Sequence, residues 1–250
     1  MELSPAARVF RLTALPIQTN RGRSIHKLLL VFSAVLFFIT AAPGQSPVNE
    51  IGDEKEPELR NELVKMVVDD QNIRGEFDKF RRARGLWGLN NPQANGKMDA
   101  DPQLKKDFLE IAFRMGDGDK ARTARLKEIV KTYGWQGRSL VGIEAAGAAW
   151  LLTSHAVTDV PFQRQALELM KKMGPCEVEP TYLAYLTDRV LLAEGKKQLY
   201  GSYPTRGPNG ELIPQPIEDE ANLDRRRAEL GLQPFAEYWR RVNKQYGVKK

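Results

Sequence analysis

Cysteine and histidine are nearly missing from this 250-residue chain: it has one cysteine, Cys176, and two histidines, of which only His155 lies beyond residue 44. A single cysteine excludes an internal disulfide, so stability has to come from a packed core. Cys176 follows Gly174 and Pro175, where an incidental free thiol is a better account than a nucleophile. One histidine excludes a His-x-x-x-His pair, and no paired-cysteine motif replaces it, so a zinc site would have to be built on carboxylates. The Gly-x-Ser-x-Gly elbow and the glycine-rich phosphate loop are missing too. Asp117, Asp119 and Glu128 match three positions of a calcium loop. Ala121 and Arg122 stand where that loop needs a ligand and a glycine, so capping of a helix explains the acids better. No metal or other cofactor is expected.

Net charge is also scarce once the N-terminus is set apart. Arg21, Arg23 and Lys27 lead into an apolar run over residues 28–42, too short for a bilayer-spanning helix and typical of a secretory signal. Ala42 and Gly44 are the small residues that favour cleavage near Gly44, giving a periplasmic or extracellular protein. The alternative is an uncleaved anchor over residues 28–42; in both cases membrane contact is confined to this segment. Of 38 basic and 32 acidic side chains, five and one fall within residues 1–44, which leaves 33 against 31. The basicity therefore belongs to export, and a nucleic-acid partner is not expected.

The remaining chain reads as a polar leader over residues 45–56 and one helical domain over 57–250. Leu59, Leu63, Met66, Val67 and Phe77 recur at helical spacing and predict a helix over 57–84. Residues 85–103 are rich in Gly, Asn, Pro and Asp and predict a surface loop. Helices over 104–115 and 119–133 follow, the second capped by Asp117 or Asp119. Residues 139–156 are apolar almost all round, the mark of a helix buried on every side, although Glu144 and His155 argue against a membrane span. Further helices are expected over 161–173, 180–194, 220–230 and 234–246. Between them, residues 198–203 and 211–217 predict a small hairpin about Asn209 and Gly210, with Pro214 and Pro216 limiting its second arm. The fold class is mainly α: a single compact multi-helix domain with a small β-hairpin or extended excursion near residues 198–217.

The chemistry-bearing residues lie in or beside apolar segments, and buried charges need partners. That predicts one polar cluster of His155, Asp188, Arg189, Gln198, Tyr200, Asn222 and Arg226. In the catalytic reading His155 is the acid or base and Asp188 its orienter, while Arg189, Gln198, Tyr200, Asn222 and Arg226 bind a small anionic molecule. His155 can equally cap its own helix, and the Asp188–Arg189 pair can equally fix helix packing. Glu144 shares a helix face with His155, but about 16 Å of helix separates them. Asp70 and Arg74 lie one turn apart on the face of Leu63 and Val67, as an ordinary ion pair or as members of the cluster.

Residues 133–142 (YGWQGRSLVG), 148–156 (AAWLLTSHA), 161–164 (PFQR), 183–189 (LAYLTDR), 198–201 (QLYG) and 222–226 (NLDRR) occur in an order that resembles the successive blocks of an uncharacterised bacterial family, domain-of-unknown-function family 6624. The resemblance spans residues 58–240, with Ser154 where the family pattern implies glutamine. It implies one domain and carries no activity, cofactor or catalytic residue. Two classes of function stay open: an exported metal-independent hydrolase, and a non-catalytic module for a ligand or cell-envelope partner. A purely structural cluster is the third reading.

Overall fold

The computed structural model describes residues 55–86, 92–174, 176–207 and 211–246. The export segment, most of the polar leader, and the Asn209-Gly210 turn lie outside them.

Eight α-helices dominate the described residues. Helix α1 is Pro57–Ala83, α2 Pro92–Ala100, α3 Pro102–Tyr133, α4 Arg138–His155, α5 Val160–Lys171, α6 Pro180–Ala193, α7 Leu223–Glu229 and α8 Phe235–Tyr246. Proline opens α1, α3, α5 and α6 within their first two positions, where its missing N–H costs no helical bond. Asp101 and Asp159 cap α3 and α5 by accepting from the N–H of Leu104 and Phe162.

Two expected boundaries are corrected. The stretch read as two helices is the single helix α3, which runs on through Gly116 and Gly118. Its buried stripe of Phe108, Ala112, Met115, Asp119, Thr123 and Leu126 explains this, since packing outweighs the weak local preference of a glycine. Asp117 and Asp119 are therefore interior residues of a helix and cap nothing. Within the segment read as a loop, α2 forms and packs on α3.

Helix α1 packs along both α3 and α4. Leu59, Leu63 and Val67 meet Leu126, Ile129, Ala145, Ala149 and Leu152 in the main core. The small residues of α4 permit this close approach; Ala145 and Ala149 are wholly buried. A second apolar cluster, with Phe77, Phe108, Ala112 and Met115, joins the far halves of α1 and α3. Gly142 interrupts α4 at φ 78°, a left-handed value that only glycine adopts at little cost. Among the described residues no helix is long and apolar enough to cross a membrane.

The only sheet among the described residues has two strands, β1 Pro204–Arg206 and β2 Leu212–Pro214, antiparallel with Thr205 opposite Ile213. It is smaller than the arms expected from the sequence. Residues 198–203 are not a strand of it, because the N–H groups of Leu199, Tyr200 and Ser202 turn inward to a carboxylate. A 3₁₀ turn, Glu220–Asn222, leads into α7.

Candidate functional site

The residues expected to meet in one cluster separate into two. The first gathers around His155, the last residue of α4. Gln163 of α5 is fully buried and donates its Nε2 to the carbonyls of Thr153 and Ser154, so the end of α4 is satisfied without the imidazole. Capping of α4 by His155 is thereby corrected. Its Nδ1 lies instead 2.9 Å from Oδ2 of Asp70, a wholly buried carboxylate of α1.

Asp70 is crowded with donors. Gln71 Nε2 approaches Oδ2 at 2.8 Å, and Arg74 Nε reaches Oδ1 at 3.0 Å and Oδ2 at 3.1 Å. Arg122 Nη2 of α3 stands 3.3 Å from Oδ1. Asp119 Oδ1 closes the network by accepting from Arg74 Nη2 and Arg122 Nη2, both at 2.7 Å. Two carboxylates and two guanidiniums on α1 and α3 thus form an alternating ring beside one imidazole on α4. Their formal charges cancel when the imidazole is neutral.

The electrostatics fix the ring's proton. Burial would raise the Asp70 carboxyl, but His155 and Arg74 outweigh it and hold Asp70 far below the ordinary carboxylate range. Burial pushes the His155 imidazole down and Arg74 adds to this, against the pull of Asp70 and Asp119. At neutral pH an ionised Asp70 therefore faces a neutral imidazole. The carboxylate has no proton to give, so Nδ1–H donates and Nε2 carries the lone pair. Nε2 makes no hydrogen bond among the described residues, yet it is not a buried unpartnered atom: it reaches solvent, and the side chain is 14 % exposed.

The second cluster is centred on Asp188 of α6, fully buried. Oδ1 accepts from the N–H of Leu199 at 2.7 Å and of Tyr200 at 3.0 Å. Oδ2 accepts from the N–H of Ser202 at 2.9 Å and from its Oγ at 2.7 Å. Burial pushes this carboxyl above its ordinary value against the pull of those donors. Asp188 shares no hydrogen bond with His155; the expected orienting role falls to Asp70.

The other expected ligand-binding residues serve the same loop. Arg189 Nε donates to Tyr203 Oη at 3.1 Å, and the guanidinium lies over the Tyr203 ring. Gln198 clamps Tyr203 at both ends of its amide, accepting from its N–H and donating to its carbonyl. Tyr200 joins through its backbone, with its carbonyl accepting from Arg227 Nη1 at 2.6 Å. Arg226 spends its donors on the carbonyls of Leu199, Glu218 and Asp219. Asn222 donates its Nδ2 to Asp219 Oδ2 at 2.8 Å and its backbone N–H to the Asp219 carbonyl at 3.1 Å. This is an arrangement that folds a loop, with Arg226 and Arg227 turned to carbonyls and Arg189 to the Tyr203 hydroxyl.

Asp119, Arg122 and Arg227 were not among the expected site residues. Arg227 follows Leu223 by one turn, so the apolar stripe of α7 carried a signal for its burial. Asp119 carried one as well, since it continues the spacing of Phe108, Ala112 and Met115. Glu144 pairs with Arg60 at 3.1 Å. Among the described residues no three His, Cys, Asp or Glu side chains are placed to share a metal ion. A shallow depression lined by Trp135, Arg138, Ile143 and Tyr182 has room for about one water molecule. Neither His155 nor Asp188 lines it.

A family model described as a family of unknown function, DUF6624, matches residues 57–250. No curated protein and no solved structure matches the chain.

Proposed function

We propose that this chain, which belongs to the DUF6624 family of unknown function, is an acid–base protein in which His155 Nε2 exchanges a proton with a small bound molecule, as in a metal-independent hydrolase. One observation carries the reading. The imidazole is held through Nδ1 by a buried carboxylate at 2.9 Å, and its other nitrogen reaches solvent. That is the arrangement in which a carboxylate sets the tautomer and the far nitrogen acts as base, then as acid. Asp70 is the positioning residue and His155 the one that meets the ligand. The reading includes export, supported by the basic flank and apolar run over residues 21–42, with a periplasmic or extracellular location.

The test is hydrolysis of a panel of small p-nitrophenyl esters and phosphates by the full chain. Activity is expected to fall by about two orders of magnitude or more in His155→Gln. It is also expected to decline below the imidazole pKa. Turnover unchanged in His155→Gln contradicts the reading.

A structural reading is favoured by a different observation. Asp70 is held by Gln71, Arg74, Arg122 and His155 together, and the ring of charges ties α1 to α3. In that case His155→Gln lowers thermal stability and no panel member is turned over.

A further inference from the structure

Arg122 is anchored through one arm of its guanidinium and open at the other. Nη2 bonds Asp119 Oδ1 at 2.7 Å and lies 3.3 Å from Asp70 Oδ1, while Nε is buried without a partner. Nη1 makes no hydrogen bond among the described residues and is not buried, so it reaches solvent. His155 Nε2 does the same. The two residues hold the two oxygens of one carboxylate, since His155 takes Asp70 Oδ2 and Arg122 lies against Oδ1. Arg122 therefore presents an N–H donor and His155 a proton acceptor, both set by Asp70.

Helix α3 is shaped to seat this guanidinium. A Cβ at Gly118 would stand 2.9 Å from Arg122 Nη1, 3.1 Å from Nη2 and 3.3 Å from Cζ. A glycine inside a helix weakens it, and here its bare backbone is the surface on which the guanidinium lies. The end of an arginine is ordinarily free to swing away. This one is tethered to two carboxylates, so a methyl group at 118 must disturb it.

From these contacts we infer that Arg122 Nη1 and His155 Nε2 form a two-point site for a small oxyanion, a carboxylate or phosphate group. The inference deepens the acid–base reading and rests on its tautomer. Charge decides when the site fills. The charged groups acting on His155 are Asp70 and Arg74 from α1 and Asp119 from α3; Arg122 completes their ring, whose charges cancel. A neutral imidazole therefore leaves an anion with a donor but no net attraction. When the ligand's acidic proton moves to Nε2, the resulting imidazolium and Arg122 together hold its conjugate base. Anion affinity rises as pH falls, and by reciprocity the anion raises the His155 pKa. The arginines first expected to bind an anion, Arg189 and Arg226, are turned to Tyr203 and to backbone carbonyls.

The experiment is NMR titration of the His155 ring in the full chain with inorganic phosphate and with acetate. His26, the other histidine, is the internal reference, and His155→Gln assigns the signal. Millimolar phosphate or acetate is expected to move the His155 resonances and raise their titration midpoint. Arg122→Gln and the charge-keeping Arg122→Lys are expected to weaken that response by about tenfold or more. Gly118→Ala, which removes no charge, is expected to weaken it as well. Melting curves select the variants that are folded. A wild-type ring indifferent to both anions overturns the site. So does a response in folded Arg122→Lys and Gly118→Ala equal to the wild type's. The tautomer without added anion reports separately on the acid–base reading, so either claim can fail alone.

Discussion

His155 Nδ1 and Asp70 Oδ2, 85 residues apart in sequence, meet at 2.9 Å. The contact joins the end of α4 to the middle of α1 and fixes the orientation of the imidazole. Gln163 holds the last carbonyls of α4 in place, and the Arg74–Asp119–Arg122 ring holds Asp70. Among the described residues nothing links this site by hydrogen bond to Asp188, so two polar centres do different work: one leaves a ring nitrogen open to solvent, the other folds the loop over residues 198–203.

Independence of the two centres is the first consequence. Asp188→Ala leaves the N–H groups of Leu199, Tyr200 and Ser202 without their acceptor. The expected cost is about 3 kcal/mol or more in denaturant unfolding, because buried donors lose their partner outright. Amide exchange should quicken at those positions while the His155 titration stays where it is. Combined with His155→Gln, the costs should add within about 0.5 kcal/mol. A coupling well beyond that figure would restore the single cluster expected from the sequence.

Acid should destabilise the fold in two stages. The folded His155 pKa lies below its ordinary 6.5, so the unfolded chain binds the proton first. Its contribution is complete above pH 6.5 and is lost as pH falls from there through the folded value. Asp70 is likewise lowered from 3.8, so its contribution is complete above that value and is lost far below it. Asp188 has the opposite sign: its raised pKa favours the folded state as pH falls through that value towards 3.8, a gain that comes before the Asp70 stage. Urea midpoints at pH 7.5, 5.5, 4 and 2.5 measure this. His155→Gln should flatten the change between pH 7.5 and 5.5, and an unaltered slope there would rule out a depressed imidazole.

Particular residues explain what could be read in advance. Leu59, Leu63 and Val67 recur every turn because one side of α1 faces the core, so that helix was legible. The continuity of α3 was not, since Gly116 and Gly118 signal a break and only the packing of Met115 and Asp119 overrules them. Asp70 and Arg74 were visible as a pair one turn apart. What hid the site was long-range pairing: side-chain type makes Asp188 as good a partner for His155 as Asp70 is, and only the crossing of α1 and α4 decides. The same limit concealed Arg122, whose neighbour on α1 lies far away in sequence. Asp188 misled because a buried carboxylate reads alike whether it steers an imidazole or gathers backbone N–H groups.

The most direct measurement is the ¹⁵N spectrum of the His155 ring at pH 7.5, in the wild type and in Asp70→Asn. The account predicts a neutral imidazole protonated at Nδ1 with Nε2 bare, and a titration midpoint that falls further in Asp70→Asn, where the carboxylate's pull is gone. A ring protonated at Nε2, or a midpoint indifferent to Asp70→Asn, would contradict it.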